Sequence, residues 1–137
     1  MEDKYIQEIL KLADKAAKKD EIPVGAIVVL NGSVIAKGYN KREKNNRVID
    51  HAEIIAINKA SKKLKTWKLC DCDMYVTLKP CSMCEEVIKQ SRIKNVYYLL
   101  DKLDYKKEYN KTKFTLLKNN DKYREKMGDF FKKMRNK

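Results

Sequence analysis

Two short stretches carry side chains that can do chemistry together, His51-Ala52-Glu53 and Pro80-Cys81-Ser82-Met83-Cys84. Cys81 and Cys84 stand three apart, so at the start of a helix they share one face of its first turn. Thiols placed there face the positive end of the helix dipole, which lowers their pKa and favours a bound cation. His51 supplies a neutral nitrogen as the third ligand. Three protein ligands leave the fourth tetrahedral position to water, the arrangement of catalytic rather than structural zinc. Two thiolates and a neutral imidazole also cancel the charge of Zn²⁺, which eases its burial. Glu53 has a separate task. A water beside the metal needs a base to take its proton as it attacks, and the leaving group needs that proton delivered. One carboxylate can do both. Residues two apart in a regular helix point nearly opposite ways, so His51 is expected at the cap with Glu53 just inside.

Simpler readings exist for each piece taken singly. A lone Cys-x-x-Cys also serves redox chemistry or structural zinc, and a lone His is usually structural. The conjunction of His-x-Glu at one helix start with Pro-Cys-x-x-Cys at the next is far more specific than either part. Cys70 and Cys72 could complete a four-cysteine structural site. Cys72, however, shares the apolar face of a strand, so both are read as ordinary buried or half-buried thiols.

The elements that must position these residues are visible in the hydrophobic period. From Asp3 to about Lys19, Ile6, Ile9, Leu10, Ala13, Ala16 and Ala17 recur at helical spacing. Ala26 to Leu30 is a run of strand formers, Asn31-Gly32 signals a two-residue hairpin, and Ser33 to Tyr39 returns as a second strand. Lys41 to Val48 is charged and Asn-rich and reads as a surface loop. Asp50 is placed to cap a helix running from near His51 to about Leu64, with Ile54, Ile55, Ile57 and Ala60 as its buried stripe. Cys72, Met74, Val76 and Leu78 alternate with polar residues as a third strand. Pro80 ends it, and a helix runs from about Cys81 to Ser91. Asn95 to Leu100 reads as a fourth strand and Phe114 to Leu117 as a short fifth. Residues 101–113 are charged and show no clear period, and Tyr105 and Tyr109 are read there as packing rather than base-stacking residues. From Asp121, the set Tyr123, Met127, Phe130, Phe131 and Met134 marks a last amphipathic helix. No repeat or linker divides the chain. This order predicts one α/β domain over residues 1–137, a mixed sheet with helices on both faces.

A length of 137 residues with 43% hydrophobic content suits one compact domain with its own core. Such a core needs no disulfide staples, so the four cysteines point to metal or free thiols. No stretch approaches the length of a membrane span, and the N-terminal residues form no apolar signal segment, so a cytoplasmic protein is expected. The net charge of +13 fits a polyanionic partner such as RNA. It fits a coding bias equally well, because nearly all of the charge is scattered Lys, with Arg only at 42, 47, 92, 124 and 135.

His-x-Glu followed by Pro-Cys-x-x-Cys is the signature of zinc nucleobase deaminases. The chain resembles the tRNA-specific adenosine deaminase family in particular. The resemblance runs through Ile22-Pro23-Val24-Gly25-Ala26, Gly38-Tyr39-Asn40, His51-Ala52-Glu53, Tyr75 to Cys84, Ser91-Arg92-Ile93 and the ending Asp129 to Arg135. It implies a cytidine-deaminase-like three-layer α/β/α sandwich with a mixed five-stranded sheet, one Zn²⁺ per subunit and a homodimer. It implies hydrolysis of the wobble adenosine of a tRNA anticodon to inosine, with release of ammonia. On the matching positions, Asn40 would hydrogen-bond the flipped base while Ile22 and Val24 pack against it. Lys132, Lys133 and Arg135 would touch phosphates, and equally they could be the solvated face of a terminal helix. Two other functions compete. A deaminase of a free base or nucleoside, of the guanine or cytosine type, would use the same zinc chemistry. A non-catalytic RNA-binding partner subunit would have no need to retain Glu53.

Overall fold

A computed structural model of the chain describes residues 2–101 and 111–136. Tyr105 and Tyr109 lie outside the described residues. The chain divides into two compact units, residues 1–104 and 105–137.

In the first unit α1 (Glu2–Ala17) is followed by β1 (Gly25–Leu30) and β2 (Ser33–Tyr39), then by α2 (Arg42–Asn45) and α3 (Ala52–Leu64). The chain continues through β3 (Cys72–Leu78), α4 (Ser82–Gln90) and β4 (Asn95–Leu100). The strands form one sheet in the order β2-β1-β3-β4. β1 runs antiparallel to both of its neighbours, while β3 and β4 are parallel. The hairpin turns at Asn31 and Gly32, both with positive φ (50° and 79°), the twist that a tight two-residue hairpin requires. A parallel pair needs a crossover, and α4 provides it between β3 and β4.

Strand alternation sends side chains to two separate cores. Ile27 and Val29 of β1 pack against Tyr5, Ile9, Leu12 and Ala16 of α1. Ala26 and Val28, on the opposite face, join Met74 and Val76 of β3, Ala52, Ala56, Ile57 and Ala60 of α3 and Ile88 of α4. The unit is therefore three layers, helix on sheet on helices, as the element order predicts. Cys72 is buried in the second core, whereas Cys70 is exposed and not the buried or half-buried thiol expected.

Small residues let β2 and α3 approach closely. A Cβ built on Gly38 would lie 2.4 Å from the Ala52 carbonyl oxygen and 2.9 Å from the Ala56 nitrogen, both backbone atoms. Gly38→Ala is therefore expected to push α3 off the sheet, at a cost of about 1–3 kcal/mol in urea unfolding. An unchanged midpoint would mean that the two elements can separate freely.

Three expectations are corrected. Among the described residues the sheet has four strands, not five. Phe114–Leu117 forms no strand, and Phe114, Leu116 and Leu117 are 92%, 75% and 95% exposed. A short apolar run becomes a strand only when a ladder partner takes its backbone groups. The loop after Asn40 contains the one-turn helix α2. The cap of α3 is His51, not Asp50. Asp50 is buried and accepts from Asn45 Nδ2 at 2.8 Å, with Arg47 Nε 3.4 Å from its other oxygen.

In the second unit α5 (Asp121–Arg135) is capped by Asn120, whose Oδ1 accepts from the Tyr123 N–H at 3.0 Å. Lys132, Lys133 and Arg135 fill its last turn, where cations complement the helix dipole.

Candidate active site

The two chemical stretches fold alike, each as an extended residue feeding a helix. His51 (φ −75°, ψ 155°) is the N-cap of α3, and Cys81 (φ −68°, ψ 170°) is the N-cap of α4. Each carbonyl accepts the first helical hydrogen bond, from Ile55 and Glu85 respectively. Neither side chain bonds to the cap N–H groups, so both project away from their helix starts. Cys84 lies three residues into α4, over the same turn as Cys81.

The three side chains meet across the two helix starts. His51 Nδ1 stands 3.7 Å from Cys81 Sγ and 3.4 Å from Cys84 Sγ. One ligand atom from each residue lies within 4.8 Å of the other two. A tetrahedral zinc, with Zn–S of about 2.3 Å and Zn–N of about 2.0 Å, separates such atoms by roughly 3.5 Å. The donor set therefore fits zinc in spacing and in chemistry. Cys84 is fully buried and His51 and Cys81 half-buried, which leaves the cluster open on one side.

The electrostatics of the pair are coupled. The hydrogen bonds from Cys84 and His51 hold the Cys81 thiol far below its ordinary range, at about 3. The hydrogen bond to Cys81, burial, and the Glu53 charge push Cys84 upward. A bound metal would require both thiols deprotonated, so its loading would release protons.

Glu53 is 4% exposed, inside the first turn of α3. Burial raises its pKa above the usual carboxylate range, against the opposing pull of backbone hydrogen bonding and His51. It also contacts Cys84. A carboxyl held proton-ready beside a metal-ligand set is suited to proton transfer.

Asn40 and Val24 are brought together, since the Asn40 N–H donates to the Val24 carbonyl at 3.2 Å. Ile22 is half exposed and Val24 packs at the edge of the second core. The Lys41 N–H donates to the Asp50 carbonyl at 3.0 Å, which ties this segment to the residue before His51. Asn40 is buried, and its Oδ1 accepts no hydrogen bond among the described residues. A buried acceptor left unmatched costs about 1–3 kcal/mol, so a ligand donor is its natural partner. Lys132, Lys133 and Arg135 lie on α5 in the second unit and are exposed.

Sequence reasoning missed two supporting groups. Thr77 is buried near the end of β3, and its Oγ1 accepts from the Gly25 N–H at 3.1 Å, binding the start of β1 to the strand that leads to Cys81. Glu21 is buried, and its two oxygens accept from the N–H groups of Glu43 and Lys44 at 3.1 and 2.8 Å. It caps α2 from a distance. A threonine on an alternating strand and an acid just before Ile22-Pro23 carry no spacing signal that marks them.

The MafB19-like deaminase family model matches residues 1–135. A tRNA-specific adenosine deaminase of Bacillus subtilis (strain 168) is 45% identical over 94 residues, 69% of this chain and 58% of that protein. The chain thus spans less than two thirds of that relative's length. A solved structure from a study of A-to-I editing by tRNA:A34 deaminases at the wobble position superposes with a TM-score of 0.70 at 40% identity. It covers 71% of this chain and 75% of that one. Guanine deaminase from Bacillus subtilis superposes with a TM-score of 0.80 at 26% identity, over 98% of this chain and 94% of that one. These likenesses give the three layers of the first unit a cytidine-deaminase-like α/β fold. With a family model matching residues 1–135, nearly the whole length, the chain belongs to the MafB19-like deaminase family.

Proposed function

We propose that the chain is a single zinc-dependent deaminase domain that hydrolyses the wobble adenosine of a tRNA anticodon to inosine, with release of ammonia. The observation that carries the chemistry is the meeting of His51, Cys81 and Cys84 within one metal-sized cluster, with the buried Glu53 against it. The names of the relatives supply the substrate. His51, Cys81 and Cys84 would hold a zinc ion, which when bound would supply Lewis acidity toward a water near neutral pH.

The chain's own residues do the rest. His51, Cys81 and Cys84 hold the ion and leave one side open. Glu53 takes the water's proton on its carboxylate and returns it to the leaving amine, so one group serves as base and then as acid. Asn40 offers its unmatched Oδ1 to a donor of the flipped base, and Val24 and Ile22 supply apolar contact. An unpaired anticodon base is the sensible target, because little stacking is lost on extrusion. Lys132, Lys133 and Arg135 add phosphate contacts from α5. The active form is a cytoplasmic homodimer.

A specific observation favours a second reading. The likeness to guanine deaminase extends over 98% of the chain, so deamination of a free purine by the same residues is the alternative. The deciding test is inosine formation on an unmodified tRNA transcript carrying a wobble adenosine, with free adenosine, guanine and cytosine run beside it. Inosine in the tRNA alone is expected. Turnover of a free base with none on tRNA would keep the zinc mechanism and overturn the substrate.

A further inference from the structure

Beside Asn40, three cations converge on one aromatic ring. The Nζ atoms of Lys15, Lys19 and Lys41 stand 5.5, 5.2 and 4.7 Å from the centroid of Tyr39. Lys19 Nζ also donates to the Tyr39 hydroxyl at 2.9 Å. The ring itself is buried, 8% exposed, so it is a fixed post rather than a surface side chain. The lysines come from three places: the last turn of α1, the turn after it, and the residue following Asn40.

Nothing described neutralises the group. Among the described residues, none of the three lysines makes an ion pair. Glu21, the buried acid next in the chain, has both oxygens taken by the α2 N–H groups. Asp14 and Asp20 are exposed and make no ion pair within the described residues. Cation–π attraction contributes only about 0.5–1 kcal/mol for each exposed cation and leaves the charge in place. Three like charges gathered around one buried ring therefore form a positive patch able to attract an anion. The Lys19 hydrogen bond keeps the Tyr39 phenol below its ordinary range despite burial, which is the response expected in a positive field.

The position decides what the anion is. Tyr39 precedes Asn40 and Lys41 follows it, and the Lys41 N–H is bound to the Asp50 carbonyl beside His51. Tyr39 and Lys41 flank Asn40 in the chain, so a nucleotide whose base is held by Asn40 would bring its phosphates toward this segment. We propose that Lys15, Lys19 and Lys41, gathered on Tyr39, form a binding site for an RNA phosphodiester adjacent to the target nucleotide. The cluster is then a specificity determinant that separates a polynucleotide from a free base. This rests on the tRNA reading above.

The test compares the zinc-loaded wild type with the triple variant Lys15→Gln/Lys19→Gln/Lys41→Gln. Both are titrated with an anticodon stem-loop carrying the wobble adenosine, from low to moderate salt. The variant is expected to bind about tenfold more weakly at low salt, with the slope of log K against log salt reduced by about 0.7 for each phosphate no longer neutralised. A second RNA, with neutral methylphosphonates flanking the adenosine, needs no change in the protein. It should weaken binding by the wild type and leave the triple variant unaffected. Wild type that makes inosine in the stem-loop, with a variant of equal affinity and slope, would overturn the phosphate site and leave the tRNA reading standing. Wild type that ignores the stem-loop and deaminates a free base as fast as the variant does would overturn both. Preference for adenosine 5′-monophosphate over adenosine, abolished in the variant and with no stem-loop binding, would reassign the cluster to a mononucleotide and overturn the RNA assignment.

Discussion

Replacing Glu53 by Ala is expected to lower turnover by about 10³-fold or more while leaving zinc content unchanged. In the proposed mechanism two proton transfers depend on this one carboxylate, and no second acid is present at the cluster among the described residues. Glu53→Gln keeps volume and hydrogen bonding but removes the titrating group, and it should be equally inactive. Stability gives an independent readout. Burial holds the carboxyl above its ordinary range, so keeping it charged near neutral pH opposes folding. Glu53→Gln should therefore unfold no earlier than wild type in urea, as substitutions that relieve a functional strain often do. Metal analysis decides the role. Zinc lost from either variant would mean that Glu53 holds the metal, and substantial activity in Glu53→Gln would place the proton shuttle elsewhere.

The candidate site was legible in the sequence because its residues lie close together in the chain, in two pairs. His51 and Glu53 are two residues apart, and Cys81 and Cys84 share one helical turn, so spacing alone placed each pair at a helix start. The prediction that His51 sits at the cap with Glu53 inside follows from helical geometry and agrees with the structure. The strands were equally readable, since β1 is a run of strand formers, β3 follows the two-residue period and the hairpin carries its Asn-Gly turn.

What failed to show in the sequence depends on groups far apart in the chain. Asp50 has the right chemistry for a cap, yet its carboxylate is engaged by Asn45 and Arg47, and the cap falls to His51. The one-turn α2 draws its cap from Glu21, more than twenty residues upstream, so the local sequence looks like loop. Phe114–Leu117 has strand-like composition, but composition says nothing of whether a partner edge exists. The gathering of Lys15, Lys19 and Lys41 on Tyr39 was invisible for the same reason. Scattered lysines look like bias until the fold brings three of them to one ring.

Cys84→Ala should remove the metal altogether, and it should do so more completely than its small change in volume suggests. Cys84 is fully buried and in contact with Glu53, and its sulfur is 3.4 Å from His51 Nδ1. Two remaining protein ligands do not make a tight zinc site, and an alanine methyl offers no replacement donor. The folding consequence is separable from the packing loss. Zinc at about a hundred times its dissociation constant stabilises a binding-competent fold by about 2.7 kcal/mol. Wild type should therefore melt later on zinc addition and earlier with a chelator, whereas Cys84→Ala should respond to neither. Cys81→Ala should behave alike toward metal with a smaller packing loss, because its side chain is half exposed. A zinc-dependent rise in melting temperature retained by either variant would remove that cysteine from the ligand set. The three-ligand cluster, and with it the open position that a hydrolytic water requires, would then have to be rebuilt from other residues.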